Sequence, residues 1–512
     1  MTTRAAGILL PLTSLPSPYG VGCFSRSAYE FVDQLRDAGQ TLWQILPIHP
    51  TSYGDSPYQS FSTFAGNPYF IDLDKLIEEG VLTREECEAV QWGDDPHKVD
   101  YEKLYFGRYP LLRKAYERSN VYQDEAYQRF NSENSWWLDD YALFMALKNF
   151  FGGKCWSEWP EDIRLRWGFA LDYYRRELYY EIEFERYMQF KFFQQYHRLK
   201  RYANEQGVRI VGDIPIYVAM DSADTWANPQ LFQLDAENKP IAVAGCPPDG
   251  FAADGQLWGN PLYRWDYHRE TGYDWWCTRL WYCYQLYDVT RIDHFRGFDE
   301  YYAIPYGDKT AVNGWWEKGP GLDLFRTVRE KLGDHEVIAE DLGYMTDTVR
   351  EMVRGSGFPN MKVLEFAFDS RDTGSASDYL PHNYAENCVA YTGTHDNETI
   401  VSWLETISPE ERTMVREYLC DPYTPQEELY RPLIALVMRS AAKYCIIPLQ
   451  DYMGLDNSAR MNKPSTLGGN WQWRLIPGQL DEALLEEIRR VAVRYGRSSL
   501  PEPHDLPAEG EE

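Results

Sequence analysis

The sequence is short of positive charge and of long apolar segments. Its 512 residues include 51 Lys and Arg against 79 Asp and Glu, a formal net charge of −28. Nucleic acids and anionic membranes are bound by clustered positive charge, so we expect neither as a partner. No apolar run approaches the roughly 20 residues of a membrane span. Residues 5–12 are apolar, but Pro11 interrupts them and no small-residue cleavage site follows, so we do not expect a signal peptide.

Paired cysteines and nucleotide-binding loops are also missing. The nine cysteines form no Cys-x-x-Cys pair and no zinc-type Cys/His cluster, and an odd, scattered set is typical of reduced thiols in a cytoplasmic protein. Neither a phosphate-cradling glycine loop nor a dinucleotide fingerprint is present. We therefore predict a cytoplasmic protein without a nucleotide or redox cofactor.

Apolar residues, by contrast, are plentiful. Hydrophobic residues make up 44% and charged residues 25% of the chain, a balance typical of a chain with a large core. Aromatic residues reach 16%, more than a core needs, which indicates that some rings form docking surfaces for a ligand.

Eight short apolar runs rich in β-branched residues predict an α/β fold. They cover residues 7–12, 41–48, 208–218, 289–295, 337–342, 361–368, 388–391 with the residues that follow, and 444–449. Stretches of helical character lie between most of them, for example 25–38, 323–332, 347–354 and 425–443. Repeated strand–helix order indicates a parallel sheet with right-handed crossovers. Eight strands favour a closed (β/α)8 TIM barrel, although a doubly wound sheet gives a similar pattern.

Polar groups at the ends of these runs favour the barrel. Asp213, Asp293, Glu340, Asp396 and the pair Gln450-Asp451 each follow or end an apolar run. In a barrel the carboxyl ends of all strands open onto one face, so these groups would converge in one cleft. A doubly wound sheet would spread them along a wide crevice.

The spacing of the runs predicts how the barrel is decorated. We expect residues 1–500 to form a single barrel, interrupted by a mainly helical subdomain at 50–205 and a substrate-loop insertion at 220–287. The first includes a long helical pattern at 173–204, and no Ser/Gly/Pro linker flanks it. Residues 501–512 are acidic and contain proline, which predicts a disordered tail.

Three segments contain candidate catalytic residues. In the first, Arg291 and Asp293 lie two residues apart on a strand and so share a face, which predicts that the arginine lowers the pKa of the carboxyl group. An ordinary ion pair at a barrel end would look the same. In the second, Glu340 follows three apolar residues, and desolvation beside Asp341 would raise its pKa, as suits a general acid. A helix cap is the alternative function.

The third segment contains His395 and Asp396 after a glycine-containing strand. Such a pair is catalytic, metal-binding or, most often, a hydrogen-bonded loop. The three segments together offer a charged carboxylate, a protonated carboxyl group and a third that can hold hydroxyls. Retaining glycoside chemistry needs such a set.

Several motifs resemble those of the 4-α-glucanotransferases, also called amylomaltases or disproportionating enzymes, a branch of the α-amylase superfamily. The resemblance extends from about residue 7 to about 474. It is based on residues 7–12 (GILLPL), 212–218 (GDIPIYV), 245–261 (GCPPDGFAADGQLWGNP), 291–297 (RIDHFRG), 339–343 (AEDLG), 394–397 (THDN) and 458–464 (SARMNKP).

The resemblance implies roles for individual residues. Asp293 matches the family's nucleophile, Glu340 its acid/base and Asp396 its transition-state stabiliser. Other matched positions line the subsites for glucose units; they are Tyr58, Asp213, Asp249, Trp258, Arg291, His294, His395 and Asn462. One departure is Ala252-Ala253, where relatives often have a serine and an acidic residue.

The implied activity is transfer of α-1,4-glucan segments from a maltooligosaccharide, starch or glycogen donor to the 4-hydroxyl of an acceptor. Asp293 would form a covalent glucosyl intermediate and Glu340 would act first as acid and then as base, with no metal ion required. The two carboxyl carbons should then lie about 5 to 5.5 Å apart.

Three alternatives remain open on sequence alone. The same carboxylates serve an α-1,4-glucan hydrolase, in which water replaces the acceptor. A divalent-metal sugar isomerase on the same barrel would use them as cation ligands, and a non-catalytic glycan binder would use them only to hold sugar hydroxyls.

Overall fold

A closed parallel barrel forms the centre of the protein. The computed structural model describes residues 4–52, 54–248, 253–343, 345–370 and 376–501. Within these residues the strands are β1 (Ala5–Leu9), β2 (Leu42–Gln44), β3 (Arg209–Ile214), β4 (Ala242–Cys246), β5 (Gln256–Pro261), β6 (Val289–Ile292), β7 (Glu300–Pro305), β8 (Trp315–Lys318), β9 (Val337–Ala339), β10 (Asn360–Val363), β11 (Cys388–Tyr391) and β12 (Tyr444–Pro448).

Eight of these strands close the barrel, in the order β1-β12-β11-β10-β9-β6-β3-β2. Each strand therefore lies beside the barrel strand that precedes it in sequence, and the first pairs with the last through Ala5↔Tyr444. All eight fall within or overlap the predicted apolar runs, and the (β/α)8 fold is confirmed. Within β3, Gly212 is required because a Cβ there would meet the ring of Tyr287 at 2.1 Å.

The helices, in chain order, are α1 (Arg26–Asp37), α2 (Leu73–Glu78), α3 (Arg84–Glu88), α4 (Tyr101–Arg118), α5 (Glu125–Phe150), α6 (Glu161–Arg164), α7 (Gly168–Glu177), α8 (Tyr179–Glu205), α9 (Ala223–Ala227), α10 (Trp265–Glu270), α11 (Asp274–Leu286), α12 (Leu322–Leu332), α13 (Asp347–Ser356), α14 (Ile400–Thr406), α15 (Pro409–Leu419), α16 (Tyr430–Met438), α17 (Leu449–Tyr452) and α18 (Glu482–Arg494). Helices α1, α12 and α13 match their predicted ranges closely, and α16 occupies the middle of 425–443.

Helices α2–α8 all lie between barrel strands β2 and β3, in the range predicted to be mainly helical. The pattern at 173–204 was expected to be one long helix, but it is divided between α7 and α8. The chain leaves helical geometry at Leu178, whose ψ is 21°. Helices α7 and α8 both contact α5, and no Gly or Pro marks the break at Leu178, so the sequence pattern alone does not reveal it.

A second, antiparallel sheet was not predicted. Its order is β5-β4-β7-β8. Strands β4 and β5 come from the region 220–287, whereas β7 and β8 follow barrel strand β6. Tyr302 of β7 pairs with Gly245 on one side and Trp316 on the other. The sheet therefore joins two chain segments beside the barrel mouth. No helix in the described part of the chain is long and apolar enough to cross a membrane. Residues 502–512, most of the predicted tail, lie outside the described residues.

Candidate active site

Arg291 lies at the centre of the site, near the carboxyl end of β6. Its Nη1 donates to both carboxylate oxygens of Asp213 at 2.7 and 2.6 Å, and its Nη2 lies 3.1 Å from Oδ1 of Asp293. The Arg291 and Asp213 side chains are only 3% and 0% exposed. The register of β3 and β6, with Asp213 opposite Arg291, brings these charges together. One buried cation thus serves two carboxylates from neighbouring strands.

Glu340 follows β9, the strand next to β6. Ile292 pairs with Ala339, so Asp293 and Glu340 are the next residues on adjacent strands. The Glu340 carboxylate accepts hydrogen bonds from the backbone N–H of His294 at 2.7 Å and of Leu342 at 2.6 Å. Glu340 is 8% exposed. These two bonds fix the side chain beside the residue that follows Asp293.

Arg291 acts on the pKa of Asp293 in the expected direction, but the expected net lowering of that pKa is wrong. Desolvation at the barrel mouth raises the pKa of Asp293 well above its usual value, and Glu340 and Asp213 raise it further. Arg291 opposes this shift, but its guanidinium is shared with Asp213. Desolvation also raises the pKa of Glu340, as predicted. Because the two carboxyl groups interact, protonation of one affects the pKa of the other, and the two successive pKa values belong to the pair.

His395 and Asp396 lie after β11 and reach the same site. The His395 Nε2 lies 2.9 Å from the Tyr58 hydroxyl and 3.4 Å from Oδ2 of Asp396. The Tyr58 hydroxyl donates to Asp213 at 2.8 Å, which leaves its oxygen free to accept the Nε2–H of His395. Burial lowers the pKa of His395 and so favours the neutral ring, in which this arrangement places the hydrogen on Nε2. The Asn462 amide donates to Oδ1 of Asp396 at 2.7 Å.

Asp396 differs from the other acidic groups because its side chain is 43% exposed. One oxygen accepts from Asn462 and the other lies near His395, and the carboxylate remains open to the cleft. It is therefore placed to accept hydrogen bonds from a ligand. Of the three candidate catalytic acids, Asp396 is the one whose carboxylate is bound by the side chain of Asn462, a loop residue.

Aromatic rings form part of the wall. Tyr58 stacks on His395 with ring centres 5.2 Å apart, and Trp471 lies 5.8 Å from Tyr58 and 5.9 Å from His395. Trp471 was not predicted as a site residue. It lies two residues after Gly469 in a polar loop and has a positive φ of 64°. A loop sequence of this kind does not indicate where the side chain lies.

His294, whose backbone N–H binds Glu340, contacts the ring of Trp258. Their rings are 4.8 Å apart at 89°. His294 adopts the left-handed conformation at the end of β6, with φ 52°. Burial and the neighbouring Arg296 lower the pKa of His294 to about 3, so the ring is neutral at ordinary pH. Asp249, also predicted to contact sugar, lies outside the described residues.

The structure brings all the described candidate residues to the carboxyl end of the barrel. One expectation about this cleft is wrong: the pair Gln450-Asp451, predicted to open into it, is buried and bonded within the protein. The Gln450 amide donates to the backbone oxygen of Ala459 at 3.2 Å. The Asp451 carboxylate accepts from the Thr392 hydroxyl at 2.5 Å and the Ile400 backbone N–H at 2.9 Å. Asp451 therefore joins β12 to the loop after β11 and to α14 instead of facing a ligand.

Comparison with known proteins identifies the family of the chain. A family model described as 4-alpha-glucanotransferase matches residues 10–479. The chain is 48% identical to a 4-alpha-glucanotransferase of Clostridium butyricum, over 95% of this chain and 99% of that protein, and 45% identical to one of Thermus thermophilus, over 96% and 98%.

Among solved structures, an amylomaltase of Streptococcus agalactiae in complex with acarbose superposes with a TM-score of 0.93 at 42% identity, covering 97% of this chain and 100% of that one. An amylomaltase of Corynebacterium glutamicum, at 19% identity and a TM-score of 0.72, has the same fold. The chain therefore belongs to the 4-α-glucanotransferase family of glycosyltransferases, as its barrel motifs predicted.

Proposed function

We propose that the protein transfers α-1,4-glucan segments by a retaining double displacement, with Asp293 as the nucleophile and Glu340 as the acid/base. The donor would be a maltooligosaccharide or a starch- or glycogen-derived chain, and the acceptor the 4-hydroxyl of glucose or another glucan. The Streptococcus agalactiae amylomaltase was solved in complex with acarbose, which supports a carbohydrate ligand for this chain as well.

The pairing of Asp293 and Glu340 carries this proposal. The residues follow adjacent strands in register, and the hydrogen bond from His294 links the two positions. In the first step an Asp293 oxygen attacks the anomeric carbon, the glycosidic C–O bond breaks, and Glu340 gives its proton to the leaving oxygen. This step needs one proton on the pair, held by Glu340. The ion pair with Arg291 favours the negative charge on Asp293, and burial raises the pKa of Glu340, which suits Glu340 to the role of the acid.

The second step reverses the roles. Glu340, now a carboxylate, takes the proton of the acceptor 4-hydroxyl while that oxygen displaces Asp293 from the anomeric carbon. Two inversions leave the new bond in the α configuration. The backbone N–H groups of His294 and Leu342 stabilise the charged form of Glu340 between the two steps.

Asp396 and Arg291 would stabilise the reacting state. Asp396 is open to the cleft and anchored by Asn462, so it would accept sugar hydroxyls that approach it as the ring flattens. Arg291 would hold the Asp293 carboxylate in the orientation for attack. Tyr58 and Trp258 would stack on neighbouring glucose units and displace water, which favours a sugar as the acceptor.

Incubation of the pure protein with maltotriose tests the proposal. Transfer gives glucose together with maltooligosaccharides longer than the substrate. Glucose and maltose without longer products would instead identify an α-1,4-glucan hydrolase, and complete absence of turnover would contradict both. Separation of the products by chain length, over a time course, distinguishes the three outcomes.

A further inference from the structure

Arg460 connects the two loops that carry Asp396 and Asn462. It follows the short 3-10 helix Asn457–Ala459, inside the 458–464 motif. Its Nη2 donates to the backbone oxygen of Asp396 at 2.7 Å, and its Nε donates to the backbone oxygen of Asn462 at 2.7 Å. A single guanidinium thus holds the main chain of both residues.

These two residues are also bonded directly to each other's loops. The Asn462 backbone N–H donates to the oxygen of His395 at 3.0 Å, and its side-chain amide donates to Oδ1 of Asp396 at 2.7 Å. Arg460, Asn462 and Asp396 therefore form a closed set of hydrogen bonds: Arg460 binds the backbone oxygens of both other residues, and the Asn462 amide binds the Asp396 carboxylate. That carboxylate has no strand of its own to fix it, because it lies in the loop after β11.

We propose that Arg460 is a positioning residue that sets the orientation of the Asp396 carboxylate toward the substrate. This inference rests on the proposed function, because it takes Asp396 as the group that stabilises the transition state. Arg460 holds the backbone of Asp396 directly. It also holds the backbone of Asn462, whose side-chain amide in turn binds the Asp396 carboxylate.

The geometry requires an arginine. Two carbonyl oxygens from different loops are bound by two nitrogens of one planar group, and a lysine ammonium has no such fork. The nearest carboxylate is secondary: Glu398 Oε1 lies 4.0 Å from Nη1 of Arg460. The guanidinium is thus directed at the two carbonyl oxygens, and its loss would leave the Asp396 and Asn462 segments joined only by the bonds that Asn462 makes to His395 and Asp396.

The test compares Arg460→Ala, Arg460→Lys and a matched control, Arg416→Ala, in maltotriose disproportionation. Arg416 also donates to two backbone oxygens, those of Asp421 and Thr424, but it does so on α15. For Arg460→Ala we expect kcat to fall by about 10- to 100-fold with KM changed much less, because a displacement near 1 Å at a reacting centre has an effect of that order. The expected fall for Arg460→Lys is about tenfold.

Three further readouts separate positioning from general stability. The midpoint of thermal unfolding should fall by a similar amount in Arg460→Ala and Arg416→Ala, while kcat falls only in the former. Guanidinium chloride at non-denaturing concentration should restore part of the kcat of Arg460→Ala and none of that of Arg416→Ala. Asp396→Ala alone should lose activity, and addition of Arg460→Ala to it should cause little further loss.

A wild-type kcat in Arg460→Lys would overturn the inference. So would a double variant in which Arg460→Ala lowers kcat by the same factor in the Asp396→Ala background as in the wild type. Failure of the proposed function would be visible elsewhere: wild-type protein would form no longer maltooligosaccharides, or Asp396→Ala would keep full activity.

Discussion

Strand β9 has a glutamate at each end, and the two lie in opposite electrostatic environments. Glu336, before the strand, accepts from Arg209, Lys443 and the Tyr444 hydroxyl at 2.5, 2.8 and 2.9 Å, and its side chain is 39% exposed. Partial burial alone would raise its pKa, but the bonds from Lys443 and Tyr444 outweigh this and lower it. Glu340, after the strand, is buried and has a raised pKa.

The comparison extends across the barrel. Strand β3 begins with Arg209, which binds Glu336 at the amino end, and contains Asp213, which binds Arg291 at the carboxyl end. At the amino end, cations balance the carboxylate and water reaches the cluster. At the carboxyl end, Asp213, Asp293 and Glu340 lie around one arginine, and Arg291, Asp213 and Glu340 are buried. The excess of acid, rather than the presence of charge, distinguishes the reactive end.

The largest expected effect separates the two glutamates of β9. Glu340→Gln removes the acid and the base of the proposed mechanism, so kcat with maltotriose should fall by about 10²- to 10⁴-fold. Glu336→Gln is the matched control, and it should leave kcat unchanged with a loss of unfolding free energy of about 1 kcal/mol or less. Equal loss of activity in both variants would contradict the functional difference between the two ends.

The second prediction compares the two arginines bound to carboxylates of β3 and β9. Arg291→Met leaves Asp213 buried without its cation, so the free energy of unfolding should fall by about 3–5 kcal/mol. Arg209→Met, at the solvent-exposed cluster, should lower it by about 0–1 kcal/mol. Urea unfolding followed by tryptophan fluorescence measures both, and similar losses in the two variants would show that burial does not matter.

The third and smallest effect tests desolvation outside the site. Glu185, on α8 among the insertion helices, is buried, and desolvation raises its pKa to about 8 even though Arg113 opposes the shift. Because the pKa of Glu185 is higher in the folded than in the unfolded protein, its contribution to the free energy of unfolding is complete below the unfolded pKa. That contribution is lost as the pH rises from the unfolded pKa to the folded pKa of about 8.

Glu185→Gln removes that pH dependence. The stability gained over wild type should be about 2–3 kcal/mol larger at pH 8 than at pH 5. Glu181→Gln, one turn away on the same helix and ion-paired with Arg113, is the control for removal of a less buried carboxylate. A gain for Glu185→Gln that is the same at both pH values would contradict the desolvation account.

Much of the barrel and of the reacting groups could be predicted because their signals are local. Each barrel strand is a short apolar run, and a carboxylate directly after a run marks the open face, as at Asp293 and Glu340. Asp451 has the same local signal and yet is turned away, because Thr392 and Ile400 bind it. A local pattern gives the end of a strand, and contacts with other strands decide which way the side chain points.

The features that were missed depend on distant parts of the chain. The pKa of Asp293 depends on how Arg291 is shared with Asp213, a residue of another strand. Strand β7 is recognisable only through its pairing with β4, and β8 only through its pairing with β7. Trp471 joins the site only because its ring packs on Tyr58 and His395. None of these contacts leaves a periodic signal in the sequence.

The central claim is that Asp293 forms a covalent bond to the donor sugar beside an acid/base at Glu340. Mass spectrometry of Glu340→Gln protein treated with α-maltotriosyl fluoride tests it, because fluoride leaves without an acid and the variant lacks the base that would release the sugar. We predict a maltotriosyl adduct on the peptide that contains Asp293, absent in Asp293→Asn/Glu340→Gln. An adduct on another residue, or fluoride release with no adduct and a product of inverted configuration, would contradict the account.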